Sequence, residues 1–110
     1  MTIQWPLYKL RAEPRSAEID AGVAAATSFE GWQSGFIGEA NNIKMVAFII
    51  VTADGSKDQT PAGRQTAAAT GLTKIISDAG YASYVSDTMI EGIVTSVLNA
   101  VAQVRGQTGD

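Results

Sequence analysis

The sequence predicts an α+β fold: a small antiparallel β-sheet in the N-terminal half followed by two C-terminal α-helices packed on it. Three observations predict this. Residues 43–52 form a run that is apolar on both faces. Residues 60–80 and 87–106 carry apolar positions at helical spacing, between clear start and stop signals. Every strand-like segment precedes residue 53. A chain of 110 residues is the size of one domain. Residues 1–55 then supply mainly strands and turns, and residues 60–106 the two helices.

Taking the elements in order, residues 1–10 read as extended, because Ile3, Trp5 and Leu7 alternate with Gln4, Pro6 and Tyr8. Pro6 lacks a ladder donor and places this strand at an edge. Residues 16–29 support two readings. Ser16 can cap a helix with Ile19, Val23 and Ala26 on one face, while Ile19, Ala21, Val23 and Ala25 also alternate like a weak strand. Residues 32–38, with aromatic side chains and glycines, read as a strand, and Glu39, Ala40, Asn41 and Asn42 as a turn. Residues 43–52 then read as a central strand, with Ile43, Met45, Ala47, Ile49 and Val51 on one face and Val46, Phe48 and Ile50 on the other.

The polar loop 53–59 carries the turn signal Asp54-Gly55. Thr60 caps the first helix, Pro61 occupies its first position, and Gly80 ends it. Its apolar face is Ala68, Leu72, Ile75, Ile76 and Ala79. After a connector at 81–86, Thr88 and Glu91 form a capping box, with Asp87 as the competing cap. Ile90, Ile93, Val94, Val97, Leu98 and Val101 make the stripe of the last helix, and Gly106 stops it.

Composition excludes several chemistries. The chain has no Cys and no His. Disulfides, thiol nucleophiles and a Ser-His-Asp triad are therefore impossible, and the commonest transition-metal ligands are missing. No cofactor and no metal site is expected, and the missing residue types weigh against an enzyme. A net charge of −3 argues against general nucleic-acid binding, which needs Lys and Arg to displace counterions from phosphates. Lys9, Arg11 and Arg15 are interleaved with Glu13 and Glu18, as in a solvated connector. The start lacks the pattern of a secretory signal, and the longest uncharged stretch, 92–104, is too short and too polar to span a membrane. A soluble, cytoplasmic protein is expected, virion-associated if it is a coat-like component.

The candidate ligand site is the loop and helix start formed by Asp54, Ser56, Lys57, Asp58, Thr60 and Arg64, since a helix N-terminus favours anions. It matches neither a Walker loop, with Ile50 where the first Gly belongs, nor an EF-hand, with Gln59 and Gln65 in place of the required Gly and Glu. A looser cation site would use Asp54, Ser56 and Asp58. The acidic residues Glu13, Glu18 and Asp20 sit in a polar segment, and Asp87 and Glu91 are explained by the helix dipole. The aromatic residues are too scattered for a base-stacking platform.

The last helix has no charge between Glu91 and Arg105, and a helix apolar nearly all round is normally buried. One small subunit has little room for that. The expectation is therefore a homo-oligomer, with Thr95, Val97, Leu98, Asn99, Val101 and Ala102 as interface candidates. Gly63, Ala67 and Gly71, spaced by four, would let a backbone approach closely, within the subunit or across an interface. The function these observations imply is that of a non-catalytic, self-assembling structural or interaction protein, such as a viral or phage structural component. The alternative is a small-molecule- or anion-binding domain using residues 54–64.

Overall fold

Every regular element among the described residues is helical. The computed structural model describes residues 14–29 and 39–107, the side chains of 39–41 and 107 excepted. We label the helices α1 (Ser16–Thr27), α2 (Glu39–Asp54), α3 (Pro61–Asp78) and α4 (Asp87–Gln107), with a 3-10 turn at Ala82–Tyr84 between the last two. The expected sheet is overturned: no strand occurs among the described residues, and the segment 43–52 is the body of α2. The expected turn at 39–42 is the first turn of that helix. The strands expected at 1–10 and 32–38 lie outside the described residues.

The correction has a physical reason. In α2, Met45, Val46, Ile49, Ile50 and Ala53 are fully buried. Their spacing of one and three residues alternately is that of one helix face. The partly buried Ala47, Phe48, Val51 and Thr52 flank that face. A helix enclosed by neighbours needs no polar side, so its sequence shows the same continuous apolar run as a central strand.

α2 and α4 form the inner pair, and α1 and α3 pack on them from opposite sides without touching each other among the described residues. The shared core is Met45, Ile49, Ile50, Leu72, Ile75, Ile76, Ile93, Val94 and Val97. α1 is Ala-rich and presents Glu18, Gly22 and Ala26, each four residues apart, as its buried row. The row is narrow because the backbone itself comes close. A Cβ on Gly22 would run into Val46 of α2 and would lie 3.3 Å from Val97 Cγ1 of α4.

α3 begins as expected. Thr60 is the N-cap, its hydroxyl accepts from the Gly63 N–H at 3.1 Å, and Pro61 opens the first turn. Gly80 has φ +84°, the left-handed conformation that ends helices at Gly. The cap of α4 is Ser86, one residue before the expected candidates: its hydroxyl accepts from Met89 N–H at 3.1 Å. α4 also continues through Gly106. Gly71 is used inside the subunit, with the Phe48 ring 3.0 Å from where a Cβ would stand. No helix among the described residues is long and apolar enough to cross a membrane.

Candidate functional site

Two features meet at the end of the bundle where α2 finishes, α3 starts and α4 finishes. The first is an ionic cluster. The Arg105 guanidinium, in the last turn of α4, donates to both oxygens of Asp54 at 2.8 and 3.0 Å. It also donates to both oxygens of Glu18 on α1, at 3.2 and 3.3 Å. Arg15 holds Glu18 from the start of α1 at 3.0 Å, and Arg64 of α3 holds Asp54 at 2.9 Å. Thus one arginine, supported by two others, links the four described helices. The fork of five N–H donors makes this possible, because a lysine offers only a point charge.

The Glu18 side chain is 5 % exposed. Burial pushes its carboxyl up, but hydrogen bonds and charge from Arg105 and Arg15 more than offset this and hold it below the ordinary glutamate value. Asp54 behaves alike: burial raises it, while Arg105 and then Arg64 bring it below the ordinary aspartate value. Arg105 is held protonated more firmly than a free arginine, chiefly by its hydrogen bonds to Asp54. A carboxyl depressed in the folded state stabilises the fold at pH above its unfolded value, and that contribution is lost as pH falls through the folded value. Both carboxyls have this sign. The urea midpoint should therefore be level near neutrality and fall between about pH 5 and about pH 2. An unchanged midpoint over that range would mean that the cluster does not fasten the fold.

The loop from 55 to 60 is closed upon itself. The Gln59 side-chain amide donates to the last carbonyls of α2, Ala53 O at 3.4 Å and Asp54 O at 3.1 Å, and so caps that helix; it also donates to Ser56 O in the loop at 2.6 Å. Its Oε1 accepts from Arg64 at 2.9 Å. The Ser56 hydroxyl donates to Asp58 O at 2.8 Å, and Asp58 Oδ1 accepts from Thr60 N–H at 3.0 Å. The exposed Asp58 carboxyl is held below its ordinary value by those hydrogen bonds from Thr60, first from its backbone and then from its side chain. Of the six expected ligand residues, Asp54 and Arg64 belong to the ionic cluster, and Ser56, Asp58 and Thr60 shape the loop. Lys57 is exposed. The carboxylates of Asp54 and Asp58 are directed to different partners.

The second feature is a groove along the seam of α3 and α4, open to solvent. Two neighbouring depressions lie along it, of about 560 and 540 Å³, both lined by Gln65. The one beside the ionic cluster is bounded by Arg64 and Arg105 and contains Thr95, Leu98, Asn99 and Ala102. The other contains Thr66, Ala69, Thr70 and Thr73, and ends on Asp87 and Glu91. Four of the six expected interface residues therefore share one surface. Val97 and Val101 lie instead in the subunit's own core.

Sequence reasoning missed Glu18, Arg15, Arg105 and Gln59 as a constellation. Glu18 and Arg105 are 87 residues apart, and no local spacing links them. Gln59 had a readable signal, a side-chain amide just after the end of an apolar run, once that run is known to be helical. The arrangement has the chemistry of fastening and of surface recognition: paired charges inside, and amide, hydroxyl and methyl groups along the groove. No protein family, curated protein or solved structure matches this chain.

Proposed function

We propose that this chain is a non-catalytic interaction protein that works as a homo-oligomer through the face made by α3 and α4. The observation that carries the reading is the groove itself. Thr95, Leu98, Asn99 and Ala102 of α4 line it together, beside Gln65, within the stretch of α4 between Glu91 and Arg105 that carries no charge. Interface centres are depleted of charge in this way. Surplus apolar surface no longer supports the reading. α4 packs against the three other described helices, and Ile90, Ile93, Val94, Val97 and Val101 are buried within the subunit. The competing reading, a ligand site at residues 54–64, meets a loop in which Ser56, Asp58, Gln59, Thr60 and Arg64 are already paired with one another.

The expected result is a native mass of at least two chains at micromolar concentration. Asn99 is exposed in the free subunit. Asn99→Lys should shift the protein toward monomer, because stranding a charge in a dry interface costs several kcal/mol. The same change on a solvated face stays within about 0.5 kcal/mol. Light scattering coupled to size exclusion at several concentrations decides it. A mass of one chain throughout removes the oligomer reading. An oligomer that Asn99→Lys leaves intact moves the interface elsewhere.

A further inference from the structure

We infer that residues 45–53 are a latent strand-forming segment, kept helical by the fastening at the end of α2, and that copies of the chain stack through it as β-strands when that fastening opens. The run 45–53 carries no charge, no Pro and no Gly, and lies between Lys44 and Asp54. Val46, Phe48, Ile49, Ile50, Val51 and Thr52 are β-branched or aromatic, the types that favour strands and lose side-chain freedom in a helix. Segments of this composition, once exposed, pair with their own kind into cross-β stacks. The uncharged run of α4, 92–104, is longer, but Gly92, Ser96, Asn99 and Gln103 interrupt it and weaken strand pairing.

In the folded chain the segment is helix throughout, and every residue from 45 to 53 is buried or half-buried. Packing, not local preference, makes it so: Met45, Val46, Ile49, Ile50 and Ala53 fill the core between the other helices. Its C-terminal end is fastened twice. Gln59 caps the carbonyls of Ala53 and Asp54, and the Asp54 carboxylate is held by Arg105 of α4 and Arg64 of α3. Without Arg105, α2 loses its ionic tie to α4, and local opening costs less. An extended segment would be apolar on both sides, with Met45, Ala47, Ile49 and Val51 on one and Val46, Phe48 and Ile50 on the other. A one-residue slip then exchanges one apolar face for another, so register does not oppose pairing. Lys44 and Asp54 are the flanking charges that do oppose it. This assembly is separate from a native oligomer through α3 and α4, and neither needs the other.

The test follows fibre formation by the full chain with thioflavin fluorescence, and identifies cross-β order by its reflection at about 4.7 Å. In plain buffer Arg105→Ala should form fibres about tenfold sooner than the wild type, or faster still, because its open population is larger. Val51 is half-buried, on the side of α2 away from the buried row. Adding Val51→Glu to Arg105→Ala should delay fibres about tenfold, since a charge then enters every stacked strand. Adding Ser96→Glu, the same charge within the uncharged run of α4, should not. Each variant is also compared at its own urea midpoint, where the unfolded fractions are equal, so that altered stability is not read as altered assembly. The wild-type chain at its urea midpoint is enough to map the fibre by amide hydrogen exchange, and residues 45–53 should be its protected core. No fibre from that sample, a protected core elsewhere, or equal delay by Val51→Glu and Ser96→Glu would overturn the segment. Fibres no sooner from Arg105→Ala than from the wild type in plain buffer would overturn the role of the fastening.

Discussion

Replacing Arg105 by Ala should lower the folding free energy by about 3 kcal/mol, at the low end of what breaking a buried ion pair costs. The reason is what the change leaves behind. Glu18 is 5 % exposed and would keep the Arg15 contact, while Asp54 would keep that of Arg64. The loss is greatest for Glu18, a carboxylate fixed in a helix–helix seam where water cannot fully replace the lost donors. Arg105 itself is 27 % exposed, which moderates the cost. For a chain of this length the thermal midpoint should fall by about 10–15 °C.

Two companion variants separate this from an ordinary surface salt bridge, which is worth about 0–1 kcal/mol. Arg105→Lys keeps the charge but cannot span two carboxylates on different helices, so it should recover less than half of the loss. Glu18→Gln in the Arg105→Ala background removes the stranded charge. The pair of changes should therefore cost less than the two single costs added, by about 1–2 kcal/mol. If Arg105→Ala costs under about 0.5 kcal/mol, the four-helix link carries no more energetic weight than an exposed pair.

The C-terminal half was legible because its signals are local. Thr60 and Pro61 start α3, Gly80 ends the turn beyond it, and the apolar residues between them recur at helical spacing. The N-terminal half misled for a reason of the same kind. The β-branched residues and the two apolar faces of 43–52 argue for a strand, and only its neighbours decide otherwise. Length was the overlooked cue: a ten-residue strand would span about 33 Å, well beyond the common five or six residues. For α1, the alanines gave the correct alternative, but Glu18 on its buried row has no meaning until Arg105 arrives from the other end of the chain. The groove was half legible. Thr95 and Asn99 were readable as the less apolar side of α4, whereas Leu98, in the apolar stripe, looks interchangeable with Val97 and Val101 until the core is assembled.

The Gly22→Ala variant sets two effects of opposite sign against each other. In a helix interior, Ala is favoured over Gly by about 0.5–1 kcal/mol, so propensity alone makes the change stabilising. Packing gives the opposite sign. The new methyl would overlap Val46 and approach Val97 Cγ1 to 3.3 Å. Both valines are 0 % exposed, so neither has space to rotate away. Overpacking of this sort costs about 1–3 kcal/mol, and moving α1 outward would also stretch the Glu18–Arg105 contact at its own end. The net effect of Gly22→Ala should be a loss of about 1–2 kcal/mol, and Gly22→Leu should lose about 4 kcal/mol or fail to fold. Val46→Ala alone should cost about 2 kcal/mol through the cavity it leaves. With Gly22→Ala added, the methyl group fills part of that cavity, and the double variant should be more stable than Val46→Ala alone. Urea unfolding of the three proteins measures this directly. If Gly22→Ala raises the midpoint in the wild-type background, α1 does not sit against α2 and α4 as closely as Val46 and Val97 place it.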